Sequence, residues 1–256
     1  MHLSPPLVDI VQLKKYYPRR KDLFVPFFGT PQNGAKAPDG VRAVDEVSLQ
    51  IFAGETVALI GESGSGKTTL AHCLFRLTQP TAGNILFRGR EVWAMNRDEL
   101  NEFRRQAQFI FQDAGAALNP RLTVGSVIAE PLIAHRVLEK KPAQHRGREL
   151  LQQVGLSEQH FNALPGELSS GQRHRVVIAR ALALQPQFIV ADEPFSSLDV
   201  LNKSRLLDLF VSLQRQFELT YLLISHDLSF VNQWCNRIAI MHQGKIVETK
   251  TRKPIS

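Results

Sequence analysis

Cysteine is almost missing from this sequence. Cys73 and Cys235 are the only two in 256 residues. Neither belongs to a C-x-x-C pair or to a metal-ligand spacing, so a disulfide framework and a zinc module are excluded. Both fall in apolar helical patterns and are expected to be buried, reduced thiols. Long hydrophobic runs are missing too. No uncharged apolar stretch approaches the roughly 18 residues that a membrane-spanning helix needs. The N-terminus, MHLSPPLVDIV, lacks a basic start and carries Asp9 early, which is unlike a signal peptide. No internal repeat or low-complexity tract is visible. A membrane role is therefore expected to run through partners.

What is present is the composition of an ordinary globular protein, 43% hydrophobic and 21% charged. The length suits one large domain or two small ones, with a core that needs no staples. The net charge of +7 fits a nucleic acid, an anionic membrane face or phosphate-rich ligands, and equally fits simple solubility.

Residues 7–13 alternate like a strand. Residues 18–40 hold four prolines, three glycines, the cluster Arg19-Arg20-Lys21 and Phe24, Phe27 and Phe28, and read as a long surface loop. A strand pair is expected over 41–61 with Ala53-Gly54 as its turn. A helix is expected over 67–77 with Leu70, Cys73, Leu74 and Leu77 on one stripe. A strand at 85–87, a charged helix over Arg97–Gln106 and a short apolar strand over Gln108–Phe111 follow. Residues 113–170 show helical patterns broken by Pro120, Pro131, Pro142 and Pro165, which reads as a helical insertion. Helix and strand then alternate: helix 172–184, strand 187–191, helix 201–216, strand 220–225, helix 228–235, and a hairpin over 237–248 turning at Gln243-Gly244. That alternation predicts an α/β fold with a mostly parallel sheet.

Three stretches carry chemistry. GESGSGKTT, residues 61–69, fits G-x-x-x-x-G-K-[ST] through Gly61, Gly66, Lys67 and Thr68, between an apolar strand and a helix. Its glycines, Gly64 included, let backbone N–H groups wrap phosphates. Lys67 brings charge to them and the Thr68 hydroxyl faces Mg²⁺. FIVADEP, residues 188–194, is an apolar strand ending in two carboxylates, which is costly unless the charges have work to do. Asp192 is placed to hold Mg²⁺ and Glu193 to polarise an attacking water. ELSSGQRHR, residues 167–175, is a turn of small residues running into a basic helix, a second anion site at a helix N-terminus. Gln112 and His226 follow strands, where parallel sheets gather their ligand sites. Gln112 suits a metal ligand or water holder, although taken alone it reads as a plain surface glutamine. His226 suits a contact to a terminal phosphate that also orients Glu193. Tyr16 and Tyr17 offer a stacking face for a purine or an aromatic close to the core edge.

GESGSGKTT, Gln112, ELSSGQRHR, FIVADEP, SSLD (196–199) and ISHD (224–227) stand in the order and spacing found in ATP-binding subunits of ABC transporters. The resemblance spans residues 7–250. LKKYYP, the 18–40 insertion, residues 103–132 and RALALQPQFIVADEP resemble the oligopeptide/dipeptide/nickel importer branch. The resemblance implies a RecA-like P-loop NTPase core with a mostly parallel sheet, an N-terminal antiparallel β-subdomain and an inserted helical subdomain. Residues 1–256 would form one ATPase domain: core at 41–112 and 171–256, helical subdomain at 113–170, loop insertion at 18–40.

The resemblance further implies ATP and Mg²⁺ as cofactors. Gly61, Glu62, Ser63, Gly64, Ser65, Gly66, Lys67, Thr68 and Thr69 would cradle the phosphates. Tyr17 would stack on adenine, with Tyr16 the alternative register. Thr68, Gln112 and Asp192 would hold the metal, and Glu193, His226 and Gln112 would serve hydrolysis. Ser169, Gly171, Gln172 and, in the loop Ser197-Leu198-Asp199, Asp199 would serve the nucleotide of a second ATPase subunit, identical or different, packed head to tail. Permease subunits would grip the helical subdomain at the cytoplasmic side of the plasma membrane, with a solute-binding protein acting indirectly and no nucleic acid involved. A soluble ABC ATPase working on nucleic acid or ribosomes is the alternative. Two departures stand out. Ser170 occupies a position where most members carry glycine, so its backbone angle decides whether the turn tolerates it. The chain also stops soon after Glu248, where this branch usually continues, and two cysteines allow no iron–sulfur cluster.

Overall fold

Three short, mainly apolar stretches, TVALI, FIVAD and TYLLIS, organise the molecule. In the computed structural model, which describes residues 4–18, 40–113, 115–196, 198–227 and 234–251, these stretches are strands buried at every position. The strands in chain order are β1 (Val8–Tyr17), β2 (Val41–Ile51), β3 (Thr56–Ile60), β4 (Ala82–Phe87), β5 (Arg90–Glu91), β6 (Ala107–Ile110), β7 (Phe188–Asp192), β8 (Thr220–Ser225), β9 (Arg237–His242) and β10 (Lys245–Thr251). The fully buried strands are β3, β7 and β8. A strand apolar on both faces belongs inside a parallel sheet covered by helices. They lie at the centre of a six-stranded sheet ordered β10-β9-β3-β8-β7-β6, parallel except where β10 returns on β9.

β2 alternates instead, with polar residues exposed between Val47, Leu49 and Ile51. It joins a separate antiparallel sheet ordered β2-β1-β4-β5. The strand pair expected over 41–61 is therefore corrected: the Ala53-Gly54 turn is present, but β2 and β3 enter different sheets. The reason is burial, since a half-exposed strand and a doubly buried one want different neighbours.

The helices are α1 (Lys67–Leu74), α2 (Arg97–Gln106), α3 (Val124–Ala134), α4 (Lys140–Gln153), α5 (Ser170–Leu182) and α6 (Val200–Phe217). α1 is shorter than the 67–77 expected. Phe75 ends it, turning its ring onto Phe103 and Phe109, and Leu77 is left more than half exposed. α2 carries the start signal its sequence promises: Asn96 accepts from Asp98 and Glu99 N–H while Glu99 reaches back. Residues 113–170 contribute no strand among the described residues; α3 packs on α4 and both pack on α5. One apolar core lies under these helices and a second joins the antiparallel sheet to the parallel one. The basic loop read at 18–40 and the helix read at 228–235 fall largely outside the described residues. Both cysteines are buried, as expected, and burial pushes the Cys73 thiol up to about 11.

Candidate functional site

The strand order brings distant residues together. β3, β8, β7 and β6 are neighbours and run the same way, so the chain leaves their C-terminal ends side by side. Gly61 follows β3, His226 follows β8, Glu193 follows β7, and Gln112 lies just past β6. Beyond these ends opens a cleft of about 840 Å³ lined by Ser63, Gly64, Gly66, Lys67, Thr68, Thr69, Gln112 and Glu193. Val41, Arg42, Ala43, Asp45, His242, Gln243, Lys245 and Val247 complete the lining.

The end of the cleft at the start of α1 is built by the chain's own backbone. Gly66 caps α1 with φ +107, and no side chain caps the helix. A Cβ on Gly66 would lie 1.9 Å from Ala43 O, so this position admits glycine alone. Among the described residues no acceptor serves the N–H groups of Gly66, Lys67 and Thr68, which is the open N-terminus an anion fills. Lys67 is buried and bends back onto Gly61 O at 2.7 Å and Glu62 O at 2.9 Å. Burial pushes its ammonium below the usual range, against the pull of Glu193 and Asp192.

Asp192 is buried, and burial holds its carboxyl above the ordinary range although Thr68 donates a hydrogen bond to it. Its Oδ1 has no hydrogen-bond partner. No group of three His, Cys, Asp or Glu side chains forms a metal centre among the described residues. One carboxylate oxygen beside one hydroxyl is instead the small hard-oxygen set that suits Mg²⁺, an ion that keeps waters and takes phosphate oxygens. Glu193 has a left-handed backbone, φ +50, fixed by its N–H on Ile224 O at 2.9 Å. That twist turns its side chain into the cleft, where His226 Nδ1 meets its Oε2 at 2.6 Å. Such strain gathers where a side chain must be aimed.

Tyr16 and Tyr17 are separated by the structure. The Tyr16 hydroxyl donates to Asp45, which holds the Asp45 carboxyl below its usual range. Tyr17 is half exposed opposite Val41 on β2, with Lys15 Nζ 4.7 Å above its ring. It is not among the cleft-lining residues, although its partner Val41 is. The β9–β10 turn, which the sequence reading did not connect to the site, is tied directly to it. Gly244 N donates to Ser65 O and Asp45 N donates to Gly244 O. Gln243-Gly244 was legible as a turn, but its approach to Ser65 is tertiary and has no local signal.

The turn read from the sequence as a second anion site is not among the cleft-lining residues. Ser169 caps α5 and accepts from Gln172 N–H, while Gln172 Oε1 accepts from Ser169 N–H at 2.8 Å. The next two side chains pin the turn further. Arg173 donates to Leu168 O at 2.6 Å, and His174 Nδ1 lies 2.9 Å from Ser170 O. Sequence reasoning missed both. The N–H groups of Ser170 and Gly171 have no acceptor among the described residues. Ser170 is the first residue of the helix and is not among the residues of positive φ, so its Cβ fits without strain. A Cβ on Gly171 would meet nothing nearer than Asn202 Oδ1 at 3.5 Å. Asn202 is itself held by Asp199, the cap of α6, so the 199–202 segment lies against this turn. Ser197 lies outside the described residues.

An open helix N-terminus, a paired acid–histidine and an orphaned buried aspartate on one parallel sheet edge define a P-loop nucleoside triphosphatase. Residues 44–196 match the ABC transporter family. The oligopeptide transport ATP-binding protein OppF of Bacillus subtilis (strain 168) is 49% identical over 210 residues, 81% of this chain and 69% of that protein. A probable peptide ABC transporter ATP-binding protein of Sinorhizobium fredii is 40% identical over 98% of this chain and 68% of its own length. The glutathione import ATP-binding protein GsiA of Escherichia coli (strain K12) is 45% identical over 84% of this chain, which spans 34% of that protein. A solved dimeric bacterial ABC transporter cassette superposes with a TM-score of 0.81 at 27% identity, covering 97% of this chain and all of that one. The chain belongs to the ABC transporter family and is one of its ATP-binding, ATP-hydrolysing subunits.

Proposed function

We propose that this subunit drives import of a peptide or a similar small solute through membrane permease subunits. It does so by closing head to tail with a second ATPase subunit, identical or different, around ATP. The observation that carries the reading is the presence of two open helix starts on one chain, of which only that of α1 lies in the cleft with Lys67 and Glu193. The transport and import names of the relatives support the peptide class.

Within one site, the open N–H groups of Gly66–Thr68 and the Lys67 ammonium bind the β- and γ-phosphates, with residues 61–65 and Thr69 completing the cradle. Tyr17 stacks on adenine by the face that Lys15 does not cover. Thr68, Asp192 and Gln112 would hold Mg²⁺, which supplies charge for the γ-phosphate oxygens. Glu193 accepts a proton from the attacking water, and His226 keeps its carboxylate aimed. Ser169, Gly171, Gln172 and Asp199 meet the partner's nucleotide; contacts made only with the γ-phosphate disappear on hydrolysis, so the pair opens.

Residues 113–170 act as the unit a permease grips, at the cytoplasmic face of the membrane. A groove of about 370 Å³ between β6, α3 and α5, lined by Phe109, Phe111, Pro131 and Leu184, is the seat we assign to it. A solute-binding protein acts through the permease. No described helix is long and apolar enough to cross a membrane.

Affinity purification from native membranes followed by mass spectrometry tests the reading. A permease pair with a solute-binding protein is expected, and a ribosome or DNA complex overturns it.

A further inference from the structure

The Gln172 side chain has one amide oxygen and one amide nitrogen, and both are committed. Oε1 accepts from Ser169 N–H at 2.8 Å. Nε2 therefore points the other way, 3.1 Å from His160 Nε2. An amide nitrogen only donates, so His160 Nε2 must be the acceptor and the imidazole proton lies on Nδ1. Nδ1 faces Ser157 O at 3.2 Å and Ser157 Oγ at 2.9 Å, both able to accept that proton. The two ends of the ring agree on one neutral tautomer.

The base of this relay is firm. Phe161, next to His160, is buried flat against α3: a Cβ on Gly125 would lie 2.3 Å from its ring. The Arg148 guanidinium covers the same ring at 4.0 Å. His160 is thus carried by the α3–α4 unit, while Gln172 belongs to α5 and its turn. Gln172 alone would hold Ser169 N–H with a side chain anchored at one end and free to rotate. His160 fixes the other end.

We propose that His160 is a positioning residue for ATP hydrolysis, holding the Gln172 amide so that the Ser169–Gly171 turn is presented in one geometry to the partner's nucleotide. The proposal rests on the reading that this turn serves a second subunit. It adds that the helical unit touches the turn through one imidazole. His160 contacts no reacting atom, so its effect is on dimer closure and turnover and not on nucleotide capture by the single chain.

The test uses His160→Leu and His160→Gln in the full chain. His160→Leu keeps an apolar bulk and removes the acceptor. His160→Gln returns an acceptor oxygen near the position of Nε2. His160→Leu is expected to lower kcat and ATP-driven dimer formation about 3- to 10-fold, the worth of one or two hydrogen bonds. His160→Gln should restore both to within about twofold. ATP affinity of the single chain should be unchanged in both variants. Full kcat in His160→Leu, failure of His160→Gln to rescue, or equal loss of single-chain ATP affinity would each overturn the proposal. If the Glu193→Gln chain with native His160 fails to dimerise on ATP, the head-to-tail pairing of identical chains falls. If it dimerises and His160→Leu changes nothing, only the positioning role falls.

Discussion

The starts of α1 and α5 both leave backbone N–H groups open, yet they are capped in opposite ways. α1 begins on a glycine at φ +107 with no side-chain cap, inside a cleft that also holds Lys67 and Glu193. α5 begins on a Ser169–Gln172 capping box, with Arg173 and His174 bracing the turn from behind and no acid of the active edge beside it. Under the proposed function a phosphate completes the first start within the chain. The second satisfies part of its own backbone and leaves only Ser170 and Gly171 N–H outward. Under the proposed function the first binds a phosphate and the second is offered to another molecule.

Glycine substitutions and the catalytic acid separate the two starts. Glu193→Gln should lower kcat by about 10² to 10⁴, the usual worth of a general base, and accumulate an ATP-bound dimer on size-exclusion chromatography. Unchanged turnover would remove Glu193 from its role. Gly66→Ala should cost about 3 kcal/mol of stability in urea unfolding, from a strained φ and overlap with Ala43 O. Gly171→Ala makes the comparison sharp: with Asn202 Oδ1 at 3.5 Å, stability should stay within about 0.5 kcal/mol while ATP-driven dimerisation is lost. A large loss of monomer stability would mean that Gly171 is required by the fold and not by a partner. Ser170→Gly should leave single-chain ATP affinity unchanged and cost at most about 1 kcal/mol, the helix penalty of glycine. The smallest effect belongs to Cys73, whose thiol is pushed up to about 11. The raised value means that its contribution to stability is intact below the ordinary thiol range and is lost as pH rises toward about 11. At pH 8, iodoacetamide should leave Cys73 unmodified until denaturant is added.

The difference between the two starts also explains what was legible in the sequence. GESGSGKTT and FIVADEP are each local: strand, loop and charge follow one another, and the chemistry can be read without knowing the fold. Their meeting with Gln112 and His226 needed only the rule that parallel strands present sites at their C-terminal ends. What could not be read depended on tertiary approach. Gly244 donates to Ser65, Asp45 joins the cleft wall through Gly244, and His160 reaches Gln172 across the helical unit. Two local readings also gave way. β2 and β3 looked like a hairpin because a turn joins them, but full burial drew β3 into the parallel sheet. α1 looked longer because Leu77 continued its stripe, but Phe75 found its partners in Phe103 and Phe109 and ended the helix. The Ser170 question was one of backbone angle, and its place at the first turn of α5 answers it.

The central claim is that the α5 start of one chain completes the α1 site of another, and complementation tests it most directly. Lys67→Ala disables a chain's own phosphate loop, and Gly171→Glu disables the turn it offers. Each variant alone should be inactive as an ATPase. Mixed, they should recover activity, because one intact loop then meets one intact turn across the interface. If the native chain hydrolyses ATP without another subunit and the mixture stays as inactive as its components, the turn does not complete the site of a second copy, and the account of α5 is wrong.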